Sequence, residues 1–190
     1  MTVLVGTSGW QYRDWRGAFY PQGLAQAKWL DHYASRFPTV EVNNTFYRLP
    51  PASTFEKWHD GTPDDFVIAV KASRYLTHIK RLQNAESSVA LLLERAKPLR
   101  EKLGPILVQL PPTLQATPET LDALDTTLRA FEANKIAFEP RHDSWFTDDV
   151  YRLLRDHDAA LCLTDRLSRP GPIQRTAGWF YLRFHEGTAS

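Results

Sequence analysis

The chain has 190 residues, enough for one domain with a sizeable core but short of the ~250 residues usual in a complete eight-fold α/β barrel. Apolar residues at 43% and charged residues at 24% match an ordinary soluble globular chain, and a net charge of +1 gives no overall pull toward nucleic acid or membrane. The single Cys162 excludes an internal disulfide, no apolar run approaches the ~20 residues of a membrane span, and MTVLVGTSG lacks a basic leader, so a cytoplasmic protein is expected.

Residues 2–6 form a β-branched run ended by Gly6, a first expected strand, and an aromatic loop from Gly9 to Gly23 follows. Trp29, Leu30, Tyr33 and Phe37 have helical spacing, which predicts a helix over 25–36. Val40 to Asn43 reads as the second strand. The Pro50-Pro51 pair stops it, and Ser53 is the expected cap of a short helix over 53–59. Phe66 to Lys71 is the third strand, and a basic segment follows. A helix is expected over 85–103, kinked or split by Pro98 and ended by Gly104-Pro105.

Ile106 to Leu110 reads as the fourth strand, closed by Pro111-Pro112. Thr117-Pro118 is a good cap and first-turn pair for a helix presenting Leu121, Leu124, Leu128 and Phe131. Ile136 to Glu139 is the fifth strand. Thr147 with Asp148 and Asp149 opens the next helix, where acids suit the N-terminal dipole. Ala160 to Thr164 and Phe180 to Phe184 complete seven visible strands, with Cys162 as a buried strand thiol.

Most of these strands end in or just before a polar or ionisable residue, and helices separate them. The expected fold is a TIM-barrel-like parallel (β/α) barrel: residues 1–190 as a single domain, incomplete or open because the last βα unit is missing. A truncated product and a naturally short chain both fit this reading.

GTSGWQYRDWRGAFYPQG (6–23), FPTVEVNNTFYRLP (37–50), the TP-x-x-F-x-x-x-x-K-x-x-R-x-x-TH-x-x-RL pattern (62–82), LGPILVQLPP (103–112), AFEPRHDSW (137–145) and FYLRFHEG (180–187) run in order along nearly the whole chain. Together they resemble the YecE-like proteins, the domain of unknown function 72. The resemblance implies a TIM-barrel-like fold and no settled biochemical function. It also implies a further helix and strand beyond the RFH segment, which this chain does not have. The family more often has glycine directly after that histidine, where Glu186 stands here.

Glu41 lies inside the second strand, Glu139 at the end of the fifth, and Asp165 just past the sixth. Asn43 shares a face with Glu41, because residues two apart on a strand point the same way. Converging carboxylates suit general acid–base work; equally, either glutamate could be a structural acid paired with Lys71, Arg141 or Arg183. Glu139, His142, Asp165 and His185 are of metal-ligand type, so a divalent metal is one option, although tight ligand spacing is missing and nearby cations oppose it. No other cofactor is indicated.

The cations Lys71, Arg74, Arg141 and Arg183, with Gln109, point to an anionic ligand, since guanidinium forks suit phosphate and carboxylate. The outer Lys80 and Arg81 read as a solvated rim. Trp10 and Tyr12 are the ligand candidates among the loop aromatics, whereas Trp15 and Phe19 suit the loop's own small core. His142 and His185 follow strands and could titrate usefully near neutral pH.

Two function classes remain open. The first is an enzyme acting on an anionic or phosphorylated small molecule, with Glu41, Glu139, His142 and His185 catalytic and Trp10, Tyr12, Asn43, Lys71, Arg74, Gln109, Arg141, Asp165 and Arg183 binding. The second is a nucleic-acid or other anion-binding module without catalysis, using the basic segment 71–81. No membrane partner is expected, and no oligomeric state follows from the sequence.

Overall fold

The computed structural model describes residues 2–131, 133–165 and 172–184. They form two compact units, one of residues up to 71 with 92–104, the other of residues 72–91 with those from 105 onward.

In the first unit, three parallel strands follow one another in register: β1 (Gly6–Thr7), β2 (Thr39–Val42) and β3 (Val67–Lys71). Pairing of Glu41 with Ala69 and Val42 with Val70 puts Val40, Val42, Ile68 and Val70 on one face, and Glu41, Ala69 and Lys71 on the other. The helix α1 (Trp29–Ala34) buries Trp29 and Tyr33. The Tyr33 hydroxyl accepts from the Thr7 N–H (2.8 Å) and donates to the Thr39 carbonyl (2.9 Å), binding α1 to β1 and β2. Gly6 is required where β1 meets β2, since a Cβ there would sit 2.1 Å from the Thr39 oxygen.

Several expectations need correction here. Residues 2–5 lie outside the ladder, with Val3, Leu4 and Val5 exposed. Continued register would set Val5 against Pro38, which has no N–H and whose carbonyl already accepts from Val67. A short helix, α2 (Asn44–Tyr47), directly follows β2. In α3 (Ala52–Asp60) the cap position is Pro51 in extended backbone, so Ser53 lies inside the helix and does not cap it.

The expected long helix is split, as Pro98 suggests, into α4 (Ala85–Ala96) and a 3-10 segment, Lys97–Lys102. Inside the 3-10 segment Arg100 leaves helical backbone, with φ 50° and ψ −125°. The strand after it, β4 (Leu103–Gln109), therefore starts earlier than Ile106 and includes Gly104-Pro105. Gly104 belongs in the strand because a Cβ would press to 2.5 Å from Val67 Cγ1. The ammonium of Lys102 is buried and donates to the carbonyls of His59 (2.6 Å) and Thr62 (2.8 Å).

In the second unit, β4 from Pro105 onward runs parallel to β5 (Ile136–Glu139), and β5 to β6 (Ala160–Leu161). The expected sixth strand is interrupted at Cys162. That residue's N–H still donates to Phe138, whereas Leu163 donates to Tyr181 and begins β7 (Leu163–Thr164), which pairs in parallel with β8 (Leu182–Arg183). The chain changes partners there, which ends one ladder and starts another. Cys162 is buried, as expected. A π-turn of helix, Tyr75–Ile79, occupies the basic segment.

The outer helices of this unit are α5 (Pro118–Ala130) and α6 (Asp148–Asp156). Thr117 and Thr147 cap them as the sequence suggests, Thr117 within a reciprocal capping box with Thr120. Asp125 of α5 accepts from Arg129 Nε (2.8 Å) and meets His157 Nε2 (2.7 Å), just beyond α6. The Arg129 hydrogen bond first, then His157, holds the Asp125 carboxyl below its ordinary pKa against an opposing desolvation. The folded state thus holds this carboxylate more firmly ionised than the unfolded chain does. Its contribution is present above the unfolded pKa and fades as pH falls through the lower folded one. Asp125 is solvent-accessible, so the expected size is only about 0.5 kcal/mol. Asp125→Asn should be less stable than wild type at pH 7, and the difference should shrink steadily as pH falls below 4 in paired denaturation curves. A difference independent of pH would contradict this.

Candidate functional site

The candidate side chains of the first unit gather on the Glu41 face. Glu41 and Lys71 share one face of the ladder, and Asn43 directly follows β2 as the helical cap residue of α2. Glu41 and Lys71 are both buried, unusual for these residue types. The Lys71 ammonium lies 4.3 Å from the Phe46 ring centroid, a cation–π contact supplied by α2. Thr45 of the same helix donates to the Lys71 carbonyl (2.7 Å) and fixes the end of β3. The Ser8 carbonyl accepts from the Tyr12 hydroxyl and from Asn43 Nδ2 (3.1 Å). Burial, and then the nearby Glu41 charge, push the Tyr12 phenol above its ordinary pKa.

Trp10 does not join this group as a ligand platform. Its ring is buried edge-on against Trp58, with centroids 5.6 Å apart, and Tyr20 donates to its carbonyl (2.5 Å). Trp15 and Phe19 form the loop's own aromatic cluster with Tyr12 and Tyr20, the arrangement the sequence suggested for Trp15 and Phe19. Tyr12 also packs on Trp15 but keeps an exposed surface.

In the second unit, Glu139 is fully buried at the end of β5. Gln109, its register partner on β4, donates Nε2 to Oε2 (3.0 Å). Arg183 of β8 reaches the same oxygen through Nη1 (2.6 Å), and Arg141 forms an ion pair with Oε1. Three elements therefore converge on one carboxylate. Of the alternatives left open by the sequence, the geometry makes Glu139 the paired acid, with both arginines as partners.

His142 opens the short 3-10 turn Asp143–Trp145. Its Nδ1 accepts from the Ser144 N–H (3.1 Å) and lies 2.9 Å from Ser144 Oγ, which itself accepts from the Ala116 N–H (2.8 Å). With Nδ1 an acceptor, the neutral ring carries its proton on Nε2. Ser144 is the orienting residue that the sequence reading missed. The H-D-S run, with a side-chain hydroxyl two residues after a strand-end histidine, was the available signal.

Arg74 is exposed at the start of the π-turn. Asp165 is exposed and lines a mainly apolar cavity of about 210 Å3 with Phe146, Cys162, Ile173 and Leu182. His185 lies outside the described residues. Among the described residues, no three or more His, Cys, Asp or Glu side chains are grouped to hold a metal ion. Among the same residues, no helix is long and apolar enough to cross a membrane.

Parallel strands, intervening helices and ionisable side chains at the strand ends define an α/β protein of the TIM-barrel-like class. The chain belongs to the family described as "Protein of unknown function DUF72", whose model matches residues 4–190. It is 38% identical over 79 residues to UPF0759 protein YunF of Bacillus subtilis (strain 168); that match covers 42% of this chain and only 27% of the relative. The crystal structure of a DUF72 family protein from Thermotoga maritima MSB8 matches over 100% of this chain and 76% of that one, with a TM-score of 0.85 and 28% identity. A DUF72 family protein from Enterococcus faecalis V583 shares the fold at 23% identity, with a TM-score of 0.82 over 100% of this chain and 72% of its own.

Proposed function

We propose that the second unit binds the anionic group of a small molecule, a phosphate or a carboxylate, through Arg141 and Arg183, and that the protein acts on this molecule by acid–base chemistry. The observation that carries this reading is the Glu139 cluster: two guanidiniums, those of Arg141 and Arg183, brought to one buried carboxylate in a poorly solvated setting. Electrostatic attraction is stronger there than at an open surface, and the planar fork of arginine suits oxyanions. Glu139 then acts as the positioning carboxylate that holds both guanidiniums in place. His142, with Nδ1 occupied by Ser144, offers Nε2–H as the proton-transferring group. The reading draws on side chains alone and invokes no resident cofactor.

Titration with inorganic phosphate, followed by calorimetry and by melting temperature, tests this. Arg183→Lys keeps a charge near Glu139 but loses the fork, so phosphate should bind it about tenfold more weakly, a loss of ~1.4 kcal/mol. Wild-type protein that neither phosphate nor sulfate stabilises at millimolar concentration would refute the proposal.

A second reading, nucleic-acid binding, draws on the π-turn. Tyr75 is half exposed, and Lys80 Nζ lies 5.7 Å from its ring centroid, beside the exposed Arg74 and Arg81. A stacking ring next to cations suits single strands, and the mark of such binding is a steep loss of affinity with salt.

A further inference from the structure

We infer that the anionic molecule taken by the second unit carries an apolar group about the size of a phenyl ring. That group sits in the cavity lined by Phe146, Leu161, Leu163, Ile173 and Leu182, an assignment that rests on the anion reading of Arg141 and Arg183 and narrows it.

The cavity has about 210 Å3 of space, and an engineered apolar cavity of about 150 Å3 is enough to hold benzene. It is reachable, since Leu182 is half exposed and Ile173 is exposed on its wall. Its surface is mainly apolar, so a sugar-like group would lose hydrogen bonds to water there and find few replacements. Of its described lining residues only Asp165 is charged, and its carboxylate turns an anion away from the cavity and toward the arginines. The apolar part of the molecule, not its charge, is what this space suits.

Three segments that line the cavity also carry the site. Pro140 lies between Glu139 and Arg141 in the chain. Phe146 closes the turn that follows His142, its N–H donating to the Asp143 carbonyl (3.1 Å). Thr164 lines the cavity and is the register partner of Arg183, so both lie on one face of the β7–β8 pair. Leu182 lies on the opposite face from Arg183, but Thr164 and Arg183 are the last residues of their strands. A molecule held by Arg183 therefore passes over the end of the ladder into the cavity. Adjacent residues have Cα atoms only about 3.8 Å apart, so one small molecule spans both.

Calorimetry on the full chain with inorganic phosphate, phenyl phosphate and glycerol phosphate tests the assignment. Phenyl phosphate should bind at least about tenfold more tightly than glycerol phosphate, which presents the same anion with a polar group in place of the ring. Leu182→Trp fills the cavity from a half-exposed position and should abolish that preference. Should this variant fail to fold, Ile173→Trp, at a more exposed position on the same wall, decides instead. Binding of inorganic phosphate with no preference for the phenyl ester would overturn the cavity assignment and leave the anion reading standing. A preference that survives in a folded tryptophan variant would overturn it as well. If none of the three compounds binds wild type, both readings fall together.

Discussion

Replacing Glu139 with glutamine is expected to destabilise the protein by about 3–5 kcal/mol, the usual consequence of removing one member of a buried ion network. The carboxylate is fully buried and meets both Arg183 and Arg141. Glutamine keeps the size and one acceptor oxygen but removes the charge. Two guanidiniums, each largely buried, would then lose this counter-ion. Its amide nitrogen would also point a donor toward groups that only donate. Urea denaturation at neutral pH measures the effect, and a loss below about 1 kcal/mol would mean that the arginines are compensated elsewhere. The network is not the most stable filling this space could have. Apolar residues of similar volume at all three positions would recover much of the loss and would abolish any response to phosphate. A network that costs desolvation and is nonetheless kept suits a site better than a core.

That network shows how far the sequence could be read. Glu41, Asn43, Lys71 and Glu139 were legible as strand-end side chains, because a strand's two-residue period follows from the chain alone. The partner of Glu139 was not. Arg183 is 44 residues away, and no local pattern records which of several cations a folded strand brings to a given carboxylate. The burial of Trp10 was not legible for a related reason. Alternation holds only while the strand continues, and Gly9 at φ +118° turns the backbone, after which the indole packs on Trp58. Gly104-Pro105 looks like punctuation locally, yet the glycine serves a tertiary contact with Val67 inside a strand. Pro98, Thr117 and Thr147 act within their own helices, and so were read correctly.

The second large effect is expected at Trp145, which sets the turn that carries His142. Its ring is fully buried, tilted 69° to Phe138 with centroids 5.4 Å apart. Its indole N–H donates to the Leu114 carbonyl (2.7 Å), and one residue earlier Ser144 Oγ accepts from the Ala116 N–H. These two bonds pin the segment after β4 to the turn after β5, and Ser144 in turn holds Nδ1 of His142. Trp145→Ala should cost about 3–5 kcal/mol through the cavity and the stranded carbonyl. Trp145→Phe keeps most of the packing but loses the N–H, and should cost less, about 1–3 kcal/mol. Thermal or urea unfolding gives the ranking. NMR of the imidazole adds a test of position: the Nε2-protonated tautomer of neutral His142 should dominate in wild type and lose that dominance in Trp145→Ala. An unchanged tautomer in the destabilised variant would show that Ser144 holds the histidine without help from the buried ring, and would confine Trp145 to the core.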